Sequence, residues 1–158
     1  MLKPILCGIV LIGITVIFHA WGTLLWLRHL VQRFNRSDVR QLKRSLPMLT
    51  QTVFALILLH VCEIALWASA YIILPDTAGI ITVNDALYFS FVTFTTIGYG
   101  DITLLTNWRL LSGIEGINGI ILCGWSTAVL FSILQGIWSR HFTPPADAVW
   151  NGRRRDTR

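Results

Sequence analysis

The run Thr95-Thr96-Ile97-Gly98-Tyr99-Gly100-Asp101 is suited to presenting backbone oxygens. Gly98 and Gly100 reach dihedrals closed to residues with a Cβ, so the carbonyls around them are free to face one direction. Stacked rings of such carbonyls, with a threonine hydroxyl ring at one end, replace the hydration shell of a desolvated cation. The chemistry on offer is ion coordination rather than bond making. No nucleophile constellation, phosphate-binding loop or metal-ligand cluster supports an enzyme. Tyr99 is expected to turn its ring outward against the preceding aromatic stretch, with Tyr88 and Phe89 as candidate neighbours. Asp101 closes the row. It either raises the local cation concentration or ties the run to its scaffold by a hydrogen bond.

Such a run needs elements that hold it at depth in a membrane. Residues 85–95, rich in aromatic and β-branched side chains, predict a helix of ~11 residues and ~16 Å, half a bilayer. Thr82 or Asn84 can cap it, and Asp85 is favourably placed in its first turn. Pro75, Asp76 and Gly79 supply the turn before it. Non-helical backbone at membrane depth is tolerated only where protein or a water-filled cavity surrounds it, so the return segment must line something. Three apolar segments, 4–27, 48–74 and 110–138, surround this unit. Each exceeds the ~20 residues that cross a hydrocarbon core. The chain is 54% hydrophobic and 13% charged, against about 25% charged in soluble domains, so a soluble bundle is excluded. Cys7, Cys62 and Cys123 fall inside the apolar segments as small packing residues and predict no disulfide framework.

The charges set a topology. Arg28, Arg33, Arg36, Arg40, Lys43 and Arg44 lie between the first two segments, and Arg140, Arg153, Arg154, Arg155 and Arg158 follow the third. The stretch between the second and third holds Asp76, Asp85 and Asp101 against Arg109. Basic residues mark the cytoplasmic side. The N-terminus is therefore expected outside and the C-terminus inside, with Lys3 the one opposing residue. The boundaries expected are 1–28 for an N-terminal transmembrane helix, 29–47 for a basic cytoplasmic loop, 48–138 for a pore domain and 139–158 for a short basic tail. The basic clusters act first as topology anchors and are compatible with anionic membrane lipids. No reading module for nucleic acid accompanies them. The first segment is too long for a signal peptide and its basic n-region is one lysine. It carries no arginine ladder, so a voltage sensor is not expected.

The motif at 95–101, with Ala86 to Phe94 before it, resembles the potassium channel family and specifically its minimal pore module. The likeness covers about residues 49–138, the second segment standing for the outer helix and the third for the inner helix. It implies a homotetramer that conducts K⁺, the permeating ion, through one filter strand per subunit. It assigns filter carbonyls to Thr96, Ile97, Gly98 and Tyr99, and the innermost hydroxyl ligand to Thr96. Thr95, Gly100, Asp101 and Tyr88 take supporting places. Gly119 stands where relatives often have a hinge glycine, with Gly116 and Gly124 nearby; close helix packing is the other role open to them. Two features depart from the pattern. Val92 occupies a position where some relatives carry a glutamate that pairs with the filter aspartate, so Asp101 must find another partner or stay solvated. A further span also precedes the module. A non-conducting or regulatory subunit that needs a partner, and a weakly selective cation channel, are the alternatives to a K⁺ channel.

Glu63 and Glu115 lie within the second and third segments, where ionisable groups are expensive and face protein or water. By its level, Glu115 is expected behind the filter, in part replacing the missing carboxylate. Glu63 is expected to pair with His60 one turn away or with His19 on the first span. The fold class expected is an all-α membrane protein. It has three transmembrane helices per subunit plus a re-entrant pore helix and filter loop, in a tetrameric potassium-channel-like pore. The expected location is a prokaryotic inner (plasma) membrane.

Overall fold

The computed structural model describes residues 2–34, 41–74, 82–104 and 108–142. They form four helices: α1 (Leu2–Phe34), α2 (Gln41–Ile73), α3 (Val83–Phe94) and α4 (Arg109–Phe142). Three of them, α1, α2 and α4, are long and apolar enough to cross a membrane. The chain is an all-helical membrane protein, and among the described residues it has no strand.

The long helices exceed the apolar segments from which they are read. The stretch 29–47, expected as a loop, is helical at both ends, and α4 continues past residue 138. Lysine, arginine, glutamine and leucine are good helix formers, so helix continues after hydropathy ends. At 33 residues for α1 and α2, each reaches ~50 Å, well beyond a ~30 Å hydrocarbon core. The turn at Pro75, Asp76 and Gly79, the loop residues Arg36 and Arg40, and the tail residues Arg153, Arg154, Arg155 and Arg158 lie outside the described residues.

Side-chain contacts fix the register. Along α1, Thr15 meets Asn118 of α4 and His19 meets Ser126, so α1 and α4 run in parallel. Along the same helix, His19 meets Glu63 of α2 and Trp26 meets Thr52, so α1 and α2 are antiparallel. Tyr71 of α2 meets Glu115 of α4, and His60 meets Ser126, again antiparallel. Gly8 and Gly22 let α1 approach closely: a Cβ would lie 2.8 Å from Ile114 and 2.6 Å from Leu59, respectively. The extra span therefore packs on both long helices of its own subunit. The apolar core, with Trp67, Tyr71, Phe89, Phe94, Leu111 and Leu122, wedges α3 between α2 and α4.

Candidate functional site

The short helix α3 is closed at its start by a reciprocal pair. Thr82 Oγ1 accepts from the Asp85 amide at 3.1 Å, and Asp85 Oδ2 accepts from the Thr82 amide at 3.0 Å. This satisfies orphan donors at the helix start and places a carboxylate at its positive end. At the other end the chain turns back on the helix. The amides of Ile97 and Gly98 both donate to the Val92 carbonyl, at 2.9 and 3.2 Å, and the Thr96 amide donates to Thr93 at 2.9 Å. Val92, apolar where a carboxylate was sought, therefore anchors the loop through its backbone oxygen.

That anchoring orients the carbonyls. The peptides are trans, and in a trans peptide N–H and C=O point in opposite directions. With the Ile97 and Gly98 amides turned toward α3, the carbonyls of Thr96 and Ile97 face away from it. Positive φ recurs at every second residue: 62° at Thr96, 57° at Gly98 and 81° at Gly100. Glycine takes this region freely. For β-branched Thr96 it is an outlier of the kind concentrated at ligand-binding and catalytic sites.

The loop is uncovered in the single subunit. Ile97 is 56% and Tyr99 69% exposed. Both candidate neighbours of Tyr99 make further contacts of their own. The Phe89 ring sits edge-on to Tyr71, with centroids 5.1 Å apart, and the Tyr88 hydroxyl is used elsewhere. A cavity of about 440 Å³ opens behind the loop, lined in part by Tyr88, Val92, Thr96 and Asp101.

Two carboxylates brace this unit from different sides. Tyr88 donates its hydroxyl to Asp101 Oδ2 at 2.7 Å, so Asp101 has a partner on α3. That bond holds the Asp101 carboxyl below its ordinary value and raises the Tyr88 phenol above its own. The depressed Asp101 value means that its contribution is present above the ordinary value of 3.8 and lost as pH falls through the folded one. Y88F returns Asp101 toward the ordinary value. The acid-induced change at this mouth is then expected to begin at higher pH than in wild type. Cation flux measured while the pH on the loop side is lowered from 7 to 3 checks this; superimposable profiles would refute it.

Glu115 is fully buried. Its Oε1 accepts from Ser90 of α3 at 2.7 Å and its Oε2 from Tyr71 of α2 at 2.6 Å. It ties α2, α3 and α4 together. Ser90 and Tyr71 were not singled out in the sequence; their one signal was a polar group inside an apolar segment. Gly119 packs against the end of α3, where an added Cβ would lie 2.0 Å from the Phe94 carbonyl oxygen. Gly116 has looser contact, with the Thr93 oxygen at 3.6 Å, and Gly124 faces open space. Glu63 meets both of its candidate partners at once, His19 at 2.7 Å and His60 at 2.9 Å.

Three membrane-crossing helices and a half-length helix that hands over to a looped-back segment define a channel-type membrane protein. The family model for ion channels matches residues 54–136, 83 of 158. The chain belongs to that ion channel family. No curated protein and no solved structure matches it.

Proposed function

We propose that four copies of this chain form a pore that conducts K⁺ selectively and passively. The filter is built from the carbonyls of Thr96, Ile97, Gly98 and Tyr99, with the Thr96 hydroxyl at its inner end. The observation that carries this reading is the exposed edge of the loop. The amides of Thr96, Ile97 and Gly98 are spent on α3, and the Thr96 and Ile97 carbonyls face away from that helix. A lone subunit in lipid would leave that backbone unsatisfied, whereas copies around an axis would enclose it. The exposed Ile97 and Tyr99 side chains and the cavity behind the loop then meet neighbouring copies. Gly100, Thr95, Asp101, Tyr88 and Glu115 support the filter. The basic helix ends face the cytoplasm and the filter end faces outward, in a prokaryotic inner membrane.

The test is cation flux from purified chain in liposomes under K⁺ or Na⁺ gradients. Potassium-selective flux blocked by barium is expected. Equal Na⁺ and K⁺ flux would overturn the selectivity, and a folded tetramer without flux would overturn self-sufficient conduction.

A further inference from the structure

Away from the filter, two histidines meet one carboxylate on one side and one hydroxyl on the other. His19 Nδ1 of α1 lies 2.7 Å from Glu63 Oε1, and His60 Nδ1 of α2 lies 2.9 Å from Glu63 Oε2. Their second nitrogens turn to Ser126 Oγ of α4, at 3.0 Å from His60 Nε2 and 3.4 Å from His19 Nε2. The rings stack with centroids 5.3 Å apart. His19 and Glu63 are fully buried, and His60 is 17% exposed. One nitrogen from each ring and one Glu63 oxygen lie within 4.8 Å of one another.

We propose that His19, His60 and Glu63 bind a transition-metal dication of the Zn²⁺ class, with Ser126 orienting both imidazoles. A serine oxygen has two lone pairs and accepts from both Nε2–H groups. Both rings then carry the same tautomer, and both Nδ1 lone pairs face the carboxylate. Three acceptors converge on one place, and a cation reconciles them. Two imidazoles and a carboxylate suit Zn²⁺ and its neighbours in the first transition row rather than Mg²⁺ or Ca²⁺, which prefer oxygen ligands. Bond lengths of ~2.0–2.2 Å require the ligand atoms to spread by roughly half an ångström from their present separations. Ligating histidines usually give their second N–H to an acceptor that fixes the ring, the place Ser126 occupies. Three protein ligands leave a coordination position open to water. The site fastens α1 to α2 where α4 passes. The His60 ring is 5.9 Å from that of Phe94, the last residue of α3, so the ion would sit one side chain from the base of the filter loop.

The test uses the full chain in detergent micelles, with H29Q and H141Q removing the other two histidines. Zinc retained after desalting is counted per chain, and Co²⁺ serves as the spectroscopic substitute. About one ion per chain and visible absorption bands of a low-coordinate Co²⁺ site are expected. H19Q and H60Q should each weaken binding about tenfold or more. S126A, which keeps every ligand, should weaken it by about ten- to a hundredfold. If H19Q fails to fold, H60Q and S126A carry the comparison. A folded parent chain that retains no ion overturns the proposal, and so does binding that H60Q leaves unchanged. Either result makes the cluster a hydrogen-bonded one that holds a proton where the metal was placed.

Discussion

G119A is expected to lower cation flux through this chain by about tenfold or more, as overpacking forces the end of α3 and the loop after it to move. The reason is steric and local. The new Cβ would lie 2.0 Å from the Phe94 carbonyl oxygen and 2.9 Å from its carbonyl carbon. Both are backbone atoms and cannot rotate away. Relief requires α4 to back off or the end of α3 to shift. Phe94 is followed directly by Thr95 and Thr96, so a shift there is transmitted to the loop. Overpacking of this kind costs ~1–3 kcal/mol when the surroundings yield. G124A is the control, since its Cβ would meet nothing within 4 Å. The comparison also separates two roles for these glycines. If packing is what matters, G119A lowers thermal stability and G124A does not. If bending of α4 is what matters, G124A or G116A alters opening while stability stays level. Size-exclusion profiles, thermal melts and liposome flux on the three variants decide between them.

E115A is the second large effect. Glu115 is the acceptor for the hydroxyls of Ser90 and Tyr71, and all three side chains are buried. Alanine removes that acceptor and opens a hole where three helices meet. A buried hydroxyl that finds no new acceptor costs ~1–3 kcal/mol, before any cavity penalty. E115Q should be milder. Its amide oxygen keeps one bond, and its NH₂ can donate to the other hydroxyl's oxygen. The expected order of thermal stability is wild type, then E115Q, then E115A, with α3 losing its seat in the last. Equal melting temperatures for wild type and E115A would show that the three-helix tie contributes nothing.

How far the sequence reached depends on the range of each interaction. The half-length helix and its return loop were legible because their determinants are local. Thr82 and Asp85 form a cap at a spacing of three, and the alternating glycines 98 and 100 mark the dihedrals they adopt. The pairing of His60 with Glu63 was legible for the same reason, one turn apart on one helix. Helix ends were less legible, because hydropathy marks where lipid stops and not where helix stops. The partners of Glu115 were beyond reach: Tyr71 and Ser90 come from two other helices, 44 and 25 residues away. The convergence of both histidines on Glu63 escaped in the same way. The sequence offered them as alternatives, since nothing in it sets the rotation of α1 against α2. The partners that Tyr88 and Phe89 take were not legible either. The Tyr88 hydroxyl is taken by Asp101 and the Phe89 ring by Tyr71.

The matched family region begins at residue 54, after the whole of α1. That could suggest a detachable leading helix and a self-contained pore. The contacts argue the opposite. Thr15 holds the amide of Asn118, Trp26 holds Thr52, and His19 closes over Glu63. A shortened chain would turn an amide, a hydroxyl and a carboxylate toward acyl chains, which offer them nothing. The first helix is thus a lining for the polar flank of the other two. Any attempt to pare this protein down to a two-helix pore must also repaint that flank with apolar side chains.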